Sequence, residues 1–171
     1  MTKTIELRRH TANDGDVLTA EGVADAIRIG RGLEGPYDIV VSSGAQRATQ
    51  AAACFLAGLG AEVPGGVVID AGFRSLDEDR WRAIYGETKR GELEAFLLAD
   101  RPFVERETRR FRGALERVVS HTPDDGHALV VGHSPMLEAA VWGVTQTAIP
   151  ALGKGRAVSL VYADGAFTLA E

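Results

Sequence analysis

The chain has 171 residues, of which 45% are hydrophobic and 25% are charged, and this predicts one globular domain over residues 1–171. The formal net charge of −5 argues against a general nucleic-acid binder, and the single cysteine, Cys54, excludes a disulfide within the chain. No apolar run approaches membrane-spanning length and the N-terminus lacks the apolar region of a signal peptide, so we expect a cytoplasmic protein without a membrane partner.

The first half of the chain reads as two strands, each followed by a helix. Residues 4–7 form a strand-like run that ends in Arg8, Arg9 and His10. Turn-forming residues follow, and Thr19 is placed to cap the first helix. Residues 38–41 are a continuous apolar run typical of a strand covered on both faces, and a second helix begins after residues 42–44.

The second half continues the alternation of strands and helices. Residues 67–69 predict a short strand, and residues 72–91 predict a partly helical excursion over one face of the domain. An amphipathic helix is predicted over residues 101–121, and residues 128–132 form a buried strand that runs into His133. Ser134 and Pro135 suit the N-cap and first position of another helix. Residues 157–162 and 166–169 predict a terminal hairpin.

This order predicts an α/β fold with three layers, in which helices cover both faces of a mostly parallel central sheet and an antiparallel edge lies at the C-terminus. Ligands of such sheets bind outside the carboxyl ends of the strands. Arg9 and His10 follow the first strand, Arg47 lies just beyond the second, and His133 follows the late buried strand. We therefore expect a cationic pocket at one rim, which suits a phosphate or phosphoryl group.

Each of these residues has a simpler interpretation when it is taken alone. A histidine is more often a hydrogen-bonded structural residue than a catalyst, and an arginine such as Arg47 is usually a surface residue. A zinc site is the competing arrangement, since histidines are common zinc ligands. The zinc site is the weaker interpretation, because two neighbouring arginines would repel a cation. We therefore expect no metal. Arg8 should alternate away from Arg9 and is predicted to be structural or salt-bridged.

Four blocks occur in order along nearly the whole chain: Arg9-His10, Leu18-Thr19-Ala20-Glu21-Gly22, Ser42-Ser43-Gly44-Ala45-Gln46-Arg47-Ala48-Thr49-Gln50 and Val131-Gly132-His133-Ser134-Pro135. Together they resemble the signature segments of the histidine phosphatase superfamily, also called the phosphoglycerate-mutase-like superfamily, in its compact single-domain branch. The chain departs from that pattern at Thr11, which replaces the glycine after Arg-His, and at Gly44, which replaces a proline.

The resemblance implies that His10 is the nucleophile that becomes phosphorylated. It also implies that Arg9, Arg47 and His133 bind the phosphoryl oxygens, with no metal or other cofactor. Thr11 and Ser134 are added as candidate substrate contacts. Leu76-Asp77-Glu78 is similar to a Leu-x-Glu segment that supplies the proton donor in many members. Glu78 is therefore the predicted donor, with Asp77 and Asp79 as competitors and a solvated acidic turn as the alternative.

The expected activity is metal-independent hydrolysis of a small phosphomonoester through a phosphohistidine on His10. Two alternatives stay open: a protein phosphohistidine phosphatase of the SixA type, and a catalytically weak phosphate- or phosphoprotein-binding module. The second is retained because Thr11 replaces the glycine of the family pattern. A mutase is disfavoured because the Arg-His-Gly-Glu signature is absent. The candidate contacts to the rest of the substrate are Phe73, Arg74, Arg80, Trp81, Arg82 and Tyr85. The substrate, the pathway and the oligomeric state do not follow from the sequence.

Overall fold

A computed structural model describes residues 1–170 and contains eight strands and five α-helices. The strands are β1 (Thr2–Arg9), β2 (Asn13–Asp14), β3 (Val17–Leu18), β4 (Ile39–Ser42), β5 (Val67–Ile69), β6 (His127–Gly132), β7 (Ala157–Ala163) and β8 (Ala166–Leu169). The helices are α1 (Ala20–Arg31), α2 (Gln46–Leu59), α3 (Glu78–Thr88), α4 (Leu93–His121) and α5 (Met136–Thr145), with a 3₁₀ turn at Ala71–Phe73.

Six of the strands form one sheet in the order β5-β4-β6-β1-β7-β8. The pairs β5–β4, β4–β6 and β6–β1 are parallel, whereas β1–β7 and β7–β8 are antiparallel. The β7–β8 pair is antiparallel because a tight turn joins its two strands, whereas strands that pair in parallel need a crossover connection. The prediction of a mostly parallel sheet with an antiparallel C-terminal edge is confirmed.

The sheet separates two hydrophobic cores, because successive side chains of a strand point to opposite faces. On β4, Val40 packs into the core that includes Phe55 of α2, whereas Ile39 and Val41 pack into the core that includes Phe111 of α4. The α1–α2 pair packs together on the first side, and α4 packs against α5 on the other. The three-layer α/β/α architecture is therefore confirmed.

The register of the sheet brings three strand ends to the same level. Arg9 at the end of β1 pairs with Gly132 at the end of β6, and Ser42 at the end of β4 pairs with Val131. Because β6 lies between β1 and β4, the residues that follow these strands meet at one rim. This rim is where the sequence predicted a ligand.

Two helix boundaries differ from those predicted. Helix α4 begins at Leu93 and has a break at Asp100, whose φ of −154° and ψ of 74° are not helical. The carboxylate of Asp100 accepts a hydrogen bond from the backbone of Phe103 at 3.2 Å, so it caps the segment that the apolar stripe had indicated. Helix α5 begins at Met136, and its N-cap is Pro135 without a side-chain bond.

The predicted N-cap role of Ser134 is thus wrong. Its hydroxyl donates to Oε1 of Glu138 at 2.5 Å instead of accepting from the helix backbone. The predicted excursion over residues 72–91 contains helix α3, whose cap is Asp77. No helix within residues 1–170 is both long and apolar enough to cross a membrane.

Candidate active site

A cavity of about 940 Å³ opens at the carboxyl ends of the parallel strands. Its charged lining consists of five permanent cations and two carboxylates, alongside the two histidines that follow β1 and β6. The cations are Arg9, Arg47, Arg74, Arg82 and Lys154; the carboxylates are Asp16 and Glu78; the histidines are His10 and His133. The strand-end argument therefore located the rim, and the cavity has the excess of positive charge that an anion requires.

His10 is 4% exposed and its ring is held in one tautomer. Its Nδ1 lies 2.8 Å from the carbonyl oxygen of Thr11, so Nδ1 carries the proton that it donates there, and Nε2 of the neutral ring has a free lone pair. Burial is the main reason that the pKa of His10 falls from 6.5 to about 4, and the charges of Lys154, Arg47 and Arg9 lower it further. At neutral pH the ring is therefore uncharged.

We expect the His10 imidazole to titrate near pH 4 instead of near its ordinary 6.5. Between these values the unfolded chain binds more protons at this residue than the folded chain, so the free energy of unfolding should fall as the pH falls from 6.5 towards 4. An NMR titration of the ring signals, assigned by comparison with His10→Gln, measures the midpoint. A midpoint near 6.5 would contradict the buried, neutral nucleophile.

His133 lies beside His10, with 5.3 Å between the ring centroids. Its Nε2 is 2.6 Å from the hydroxyl of Ser43, the residue that follows β4, while its buried Nδ1 has no hydrogen-bond partner within residues 1–170. Burial and the charges of Arg47 and His10 lower the pKa of His133 to about 2, so this ring is neutral as well. If Ser43 donates to Nε2, Nδ1 carries the proton and is available to an acceptor.

Arg9 is anchored by the loop that precedes β7. Its Nη1 donates to the carbonyl oxygen of Leu152 at 2.7 Å, and its buried Nε has no partner within residues 1–170. The fully buried Glu138 accepts the backbone N–H of the same Leu152 at 2.7 Å. Burial lowers the pKa of Arg9, against the influence of Glu138 and Tyr85, but an arginine remains charged at any physiological pH.

Arg47 lies in the first turn of α2 and is held there by Asp16. Its Nη1 donates to Oδ1 of Asp16 at 2.8 Å, and the same carboxylate lies 3.3–3.4 Å from the backbone nitrogens of Gln46 and Arg47. Burial alone would raise the pKa of Asp16, but these hydrogen bonds lower it overall. An anion thus already occupies the N-terminus of α2, which is where the helix dipole favours one.

Glu78 is the one of three neighbouring acids that lines the cavity. Asp77 caps α3 by accepting from the backbone of Arg80, and the side chain of Asp79 is 91% exposed. The carboxylate of Glu78 lies 3.2 Å from Arg74, 3.1 Å from Arg82 and 3.8 Å from Arg47. Of the three candidates, only Glu78 is therefore placed to reach a bound substrate.

Thr11 does not line the cavity, and this corrects its assignment as a substrate contact. Its hydroxyl donates to the carbonyl oxygen of Gly22 at 2.7 Å, and its side chain is buried. The backbone around Thr11 can lie this close to α1 because residue 22 is a glycine. A Cβ at Gly22 would lie 2.0 Å from the carbonyl oxygen of Ala12. Since Thr11 has no positive φ, a threonine fits the position without strain.

Gly44 is the second departure from the family pattern, and its backbone explains the residue type. Its φ of +89° lies in the left-handed region, which proline cannot adopt and glycine adopts without strain. The turn after β4 therefore takes a conformation in this chain that excludes the usual proline.

Several side chains in the predicted substrate-contact set have other roles. Ser134 lines the cavity, but its hydroxyl proton is directed to Glu138. Phe73 is buried in the core and Arg80 pairs with Asp100 at 2.8 Å, so neither lines the cavity. Besides Ser134, the members of the set that line the cavity are Arg74, Trp81, Arg82 and Tyr85.

Four residues at the site were missed by the sequence interpretation: Asp16, Ser43, Glu138 and Lys154. Ser43 lies inside a recognised block, and Lys154 is one of only three lysines and stands between two glycines. Asp16 lies in a run of turn formers and Glu138 in an apolar helix, so their contacts follow only from the fold. Within residues 1–170, no group of three His, Cys, Asp or Glu side chains is arranged to hold a metal ion.

Comparison with known proteins agrees with this geometry. Residues 4–169 match the sequence model of the histidine phosphatase superfamily (branch 1). No curated protein matches the sequence. Among solved structures, the chain is similar to phosphoglycerate mutase from Bacillus anthracis str. Sterne, with a TM-score of 0.73 and 18% identity over 99% of this chain and 92% of that one.

Two phosphatases are similar in structure to the same extent. One is phosphoserine phosphatase from Entamoeba histolytica in complex with 3-phosphoglyceric acid, with a TM-score of 0.72 and 16% identity over 99% of this chain and 95% of that one. The other is a mycobacterial glucosyl-3-phosphoglycerate phosphatase, with a TM-score of 0.71 and 16% identity over 99% of this chain and 97% of that one. At these identities the likeness establishes the fold.

Proposed function

This chain belongs to branch 1 of the histidine phosphatase superfamily, and on that premise we propose that it hydrolyses a small phosphomonoester through a phosphohistidine on His10. The observation that carries the proposal is the hydrogen bond from His10 Nδ1 to the carbonyl oxygen of Thr11, at 2.8 Å. It leaves Nε2 unprotonated in a neutral ring, as a nitrogen nucleophile requires.

In the first step, Nε2 of His10 attacks phosphorus, and the bond between phosphorus and the ester oxygen breaks. Arg9 and Arg47 balance the charge of the phosphoryl oxygens, which they do at any physiological pH. His133 supplies a further hydrogen-bond donor to the phosphoryl oxygens through the proton on its Nδ1, because its Nε2 is hydrogen-bonded to Ser43. Donors fixed in advance by the fold stabilise the transition state without reorganisation.

The leaving alcohol takes a proton from Glu78 in this proposal. In the second step a water molecule attacks phosphorus, its proton returns to Glu78, and the bond between phosphorus and Nε2 breaks to give inorganic phosphate. The three arginines that lie near Glu78 in the unliganded chain, Arg47, Arg74 and Arg82, also line the cavity. A bound phosphate competes for those arginines and frees the carboxyl group to face the leaving oxygen.

One observation supports a reaction without a metal ion, and another supports a small-molecule substrate. The cavity lining carries more cationic side chains than carboxylates. This excess of positive charge favours binding of an anion and opposes binding of a metal cation such as Zn²⁺. The structural relatives include a phosphoserine phosphatase and a glucosyl-3-phosphoglycerate phosphatase, whose names denote phosphomonoesters of small molecules.

A second candidate is a phosphatase for phosphohistidine on a protein. The observation that favours it is that Oε1 of Glu78 accepts from Arg74 and Oε2 accepts from Arg82, so both oxygens are occupied in the unliganded chain. Phosphohistidine releases an imidazole, which departs more easily than an alcohol and makes less demand on a proton donor.

A panel of phosphate compounds tests the proposed function directly. We expect hydrolysis of one or more small phosphomonoesters, with release of inorganic phosphate that is unchanged by a metal chelator. The panel includes a phosphohistidine protein, and turnover of that member alone would favour the second candidate. Failure to hydrolyse any member would contradict the proposal, and loss of activity with the chelator would contradict its metal-free form.

A further inference from the structure

Lys154 occupies the loop before β7 and lines two cavities at once. The first is the cavity that contains His10, and the second is a smaller one of about 510 Å³ on the other side of the loop. The charged residues that line the smaller cavity are all basic: Arg8, Arg28, Lys154 and Arg156. Lys154 therefore borders both the cavity of His10 and a second region of positive charge.

The position of Lys154 is fixed by the backbone on its C-terminal side. The N–H of Gly155 donates to the carbonyl oxygen of His10 at 3.2 Å, and Arg8 donates to the carbonyl oxygen of Gly155 at 2.7 Å. Gly155 has a φ of +72°, and a Cβ there would lie 2.6 Å from Cδ1 of Ile29. The loop is thus bonded to the nucleophile's own strand, and Lys154 is held beside it.

The ammonium of Lys154 has no carboxylate partner within residues 1–170. It donates to the side-chain oxygen of Asn13, a neutral group. By contrast, Arg47 pairs with Asp16, while Arg74 and Arg82 pair with Glu78. Burial, together with the charges of Arg9 and Arg47, lowers the pKa of Lys154 to about 8, so the residue is still mostly charged at neutral pH.

The charge of the cavity exceeds what one phosphoryl group offsets. Five permanent cations and two carboxylates line it, whereas a phosphomonoester brings a charge of about −1.5 to −2. Arg9, Arg47 and His133 are already assigned to the phosphoryl oxygens in the proposed function. The cation left without a role is Lys154, and beyond it Arg156 has no ion pair within residues 1–170 either.

We propose that Lys154 binds a second anionic group of the substrate, so that this enzyme selects phosphomonoesters that carry a carboxylate or a further phosphate. The inference rests on the proposed function for the position of the first phosphate. It assigns substrate selection to the loop before β7, and it predicts that the second anion lies beside the ammonium of Lys154. A substrate with a neutral body would leave the charge of Lys154 uncompensated.

Binding to the His10→Ala chain tests this without turnover. The ligands are ω-carboxyalkyl phosphates of two to six carbons, each paired with the alkyl phosphate of equal length, and alkane bisphosphates distinguish a second phosphate from a carboxylate. Titration calorimetry gives each Kd. At the best length we expect an anionic ligand to bind about tenfold more tightly than its neutral counterpart.

The variant Lys154→Met should reduce that preference to within about twofold, because it weakens binding of the anionic ligands more than binding of the alkyl phosphates. Lys89→Met is the matched control, because it removes the same charge from an exposed lysine that lines neither cavity. It should retain the full preference.

Three outcomes would overturn the inference, and they differ from one another. Equal affinity for anionic and neutral ligands, with phosphate binding intact, removes the second anion and leaves the proposed function standing. Equal losses for both ligand types in Lys154→Met assign Lys154 to the phosphoryl group instead. No binding of any alkyl phosphate contradicts the proposed function itself, and the inference with it.

Discussion

Replacing His10 by alanine is expected to lower kcat for a phosphomonoester by a factor on the order of 10⁴, because the proposed covalent intermediate forms on its imidazole. The same change should abolish transfer of ³²P from a labelled substrate to the chain. Quenching in alkaline detergent followed by denaturing electrophoresis measures the label, and a phosphohistidine is identified by its persistence in alkali and its loss when the sample is then acidified.

The control for this experiment is His121→Ala. His121 is an exposed histidine at the end of α4 and lies outside the cavity, so its replacement should leave both kcat and labelling unchanged. His10 is only 4% exposed, so its replacement could also destabilise the fold. Thermal unfolding of His10→Ala and of His10→Gln should therefore be measured together with the kinetics. A folded His10→Ala chain that still becomes labelled would refute the nucleophile assignment.

The second large effect is expected at Glu78. Glu78→Gln should lower kcat/KM for alkyl phosphates by about 10²–10³, because an alkoxide leaves poorly without a proton. Aryl phosphates and phosphohistidine have better leaving groups, and their kcat/KM should change by less than about fivefold. Glutamine keeps the size of the side chain and an oxygen that can accept from Arg74, so the change chiefly removes the proton.

Asp79→Asn is the matched control, since it makes the same chemical change in a neighbouring carboxylate that is 91% exposed. It should leave all substrates unaffected. Equal losses across the leaving groups in Glu78→Gln would mean that Glu78 binds or positions the substrate through its charge and does not donate a proton. Steady-state kinetics on a matched alkyl and aryl pair is sufficient to separate the two results.

These two variants together also separate the candidate functions. A small-molecule phosphatase needs both His10 and Glu78 for alkyl esters. A protein phosphohistidine phosphatase needs His10 but tolerates Glu78→Gln on its own substrate. A binding module that lacks turnover would show no label even in the unmodified chain. The pattern over His10 and Glu78 therefore assigns the class even before the substrate is identified.

Much of the architecture was determined by the sequence, because strand burial and helix amphipathicity are local patterns. The alternation of residues 38–41 and 128–132 with amphipathic segments predicted the parallel sheet, and the carboxyl ends of parallel strands necessarily meet at one edge. Arg9, His10 and His133, which follow or end these strands, are therefore expected at the same edge from the sequence alone. Their roles in catalysis stay predictions that the variants above test.

The tertiary structure alone decided which neighbours each group meets. Thr11 and Ser134 are next to the two histidines in sequence, but their hydroxyls turn to Gly22 and Glu138. Asp77, Glu78 and Asp79 are three consecutive acids that the sequence alone does not distinguish. At the start of α3 they take different positions: Asp77 caps the helix, Glu78 lines the cavity and Asp79 is exposed to solvent.

The partners of the charged groups come from distant parts of the chain. Asp16 reaches Arg47 over 31 residues, Ser43 reaches His133 over 90, and Lys154 reaches Asn13 over 141. A local pattern carries no information on such pairs, because their separation is set by the order of the strands in the sheet. The sequence therefore determined the rim and the residues that end its strands, whereas packing across the sheet decided which side chains share that rim.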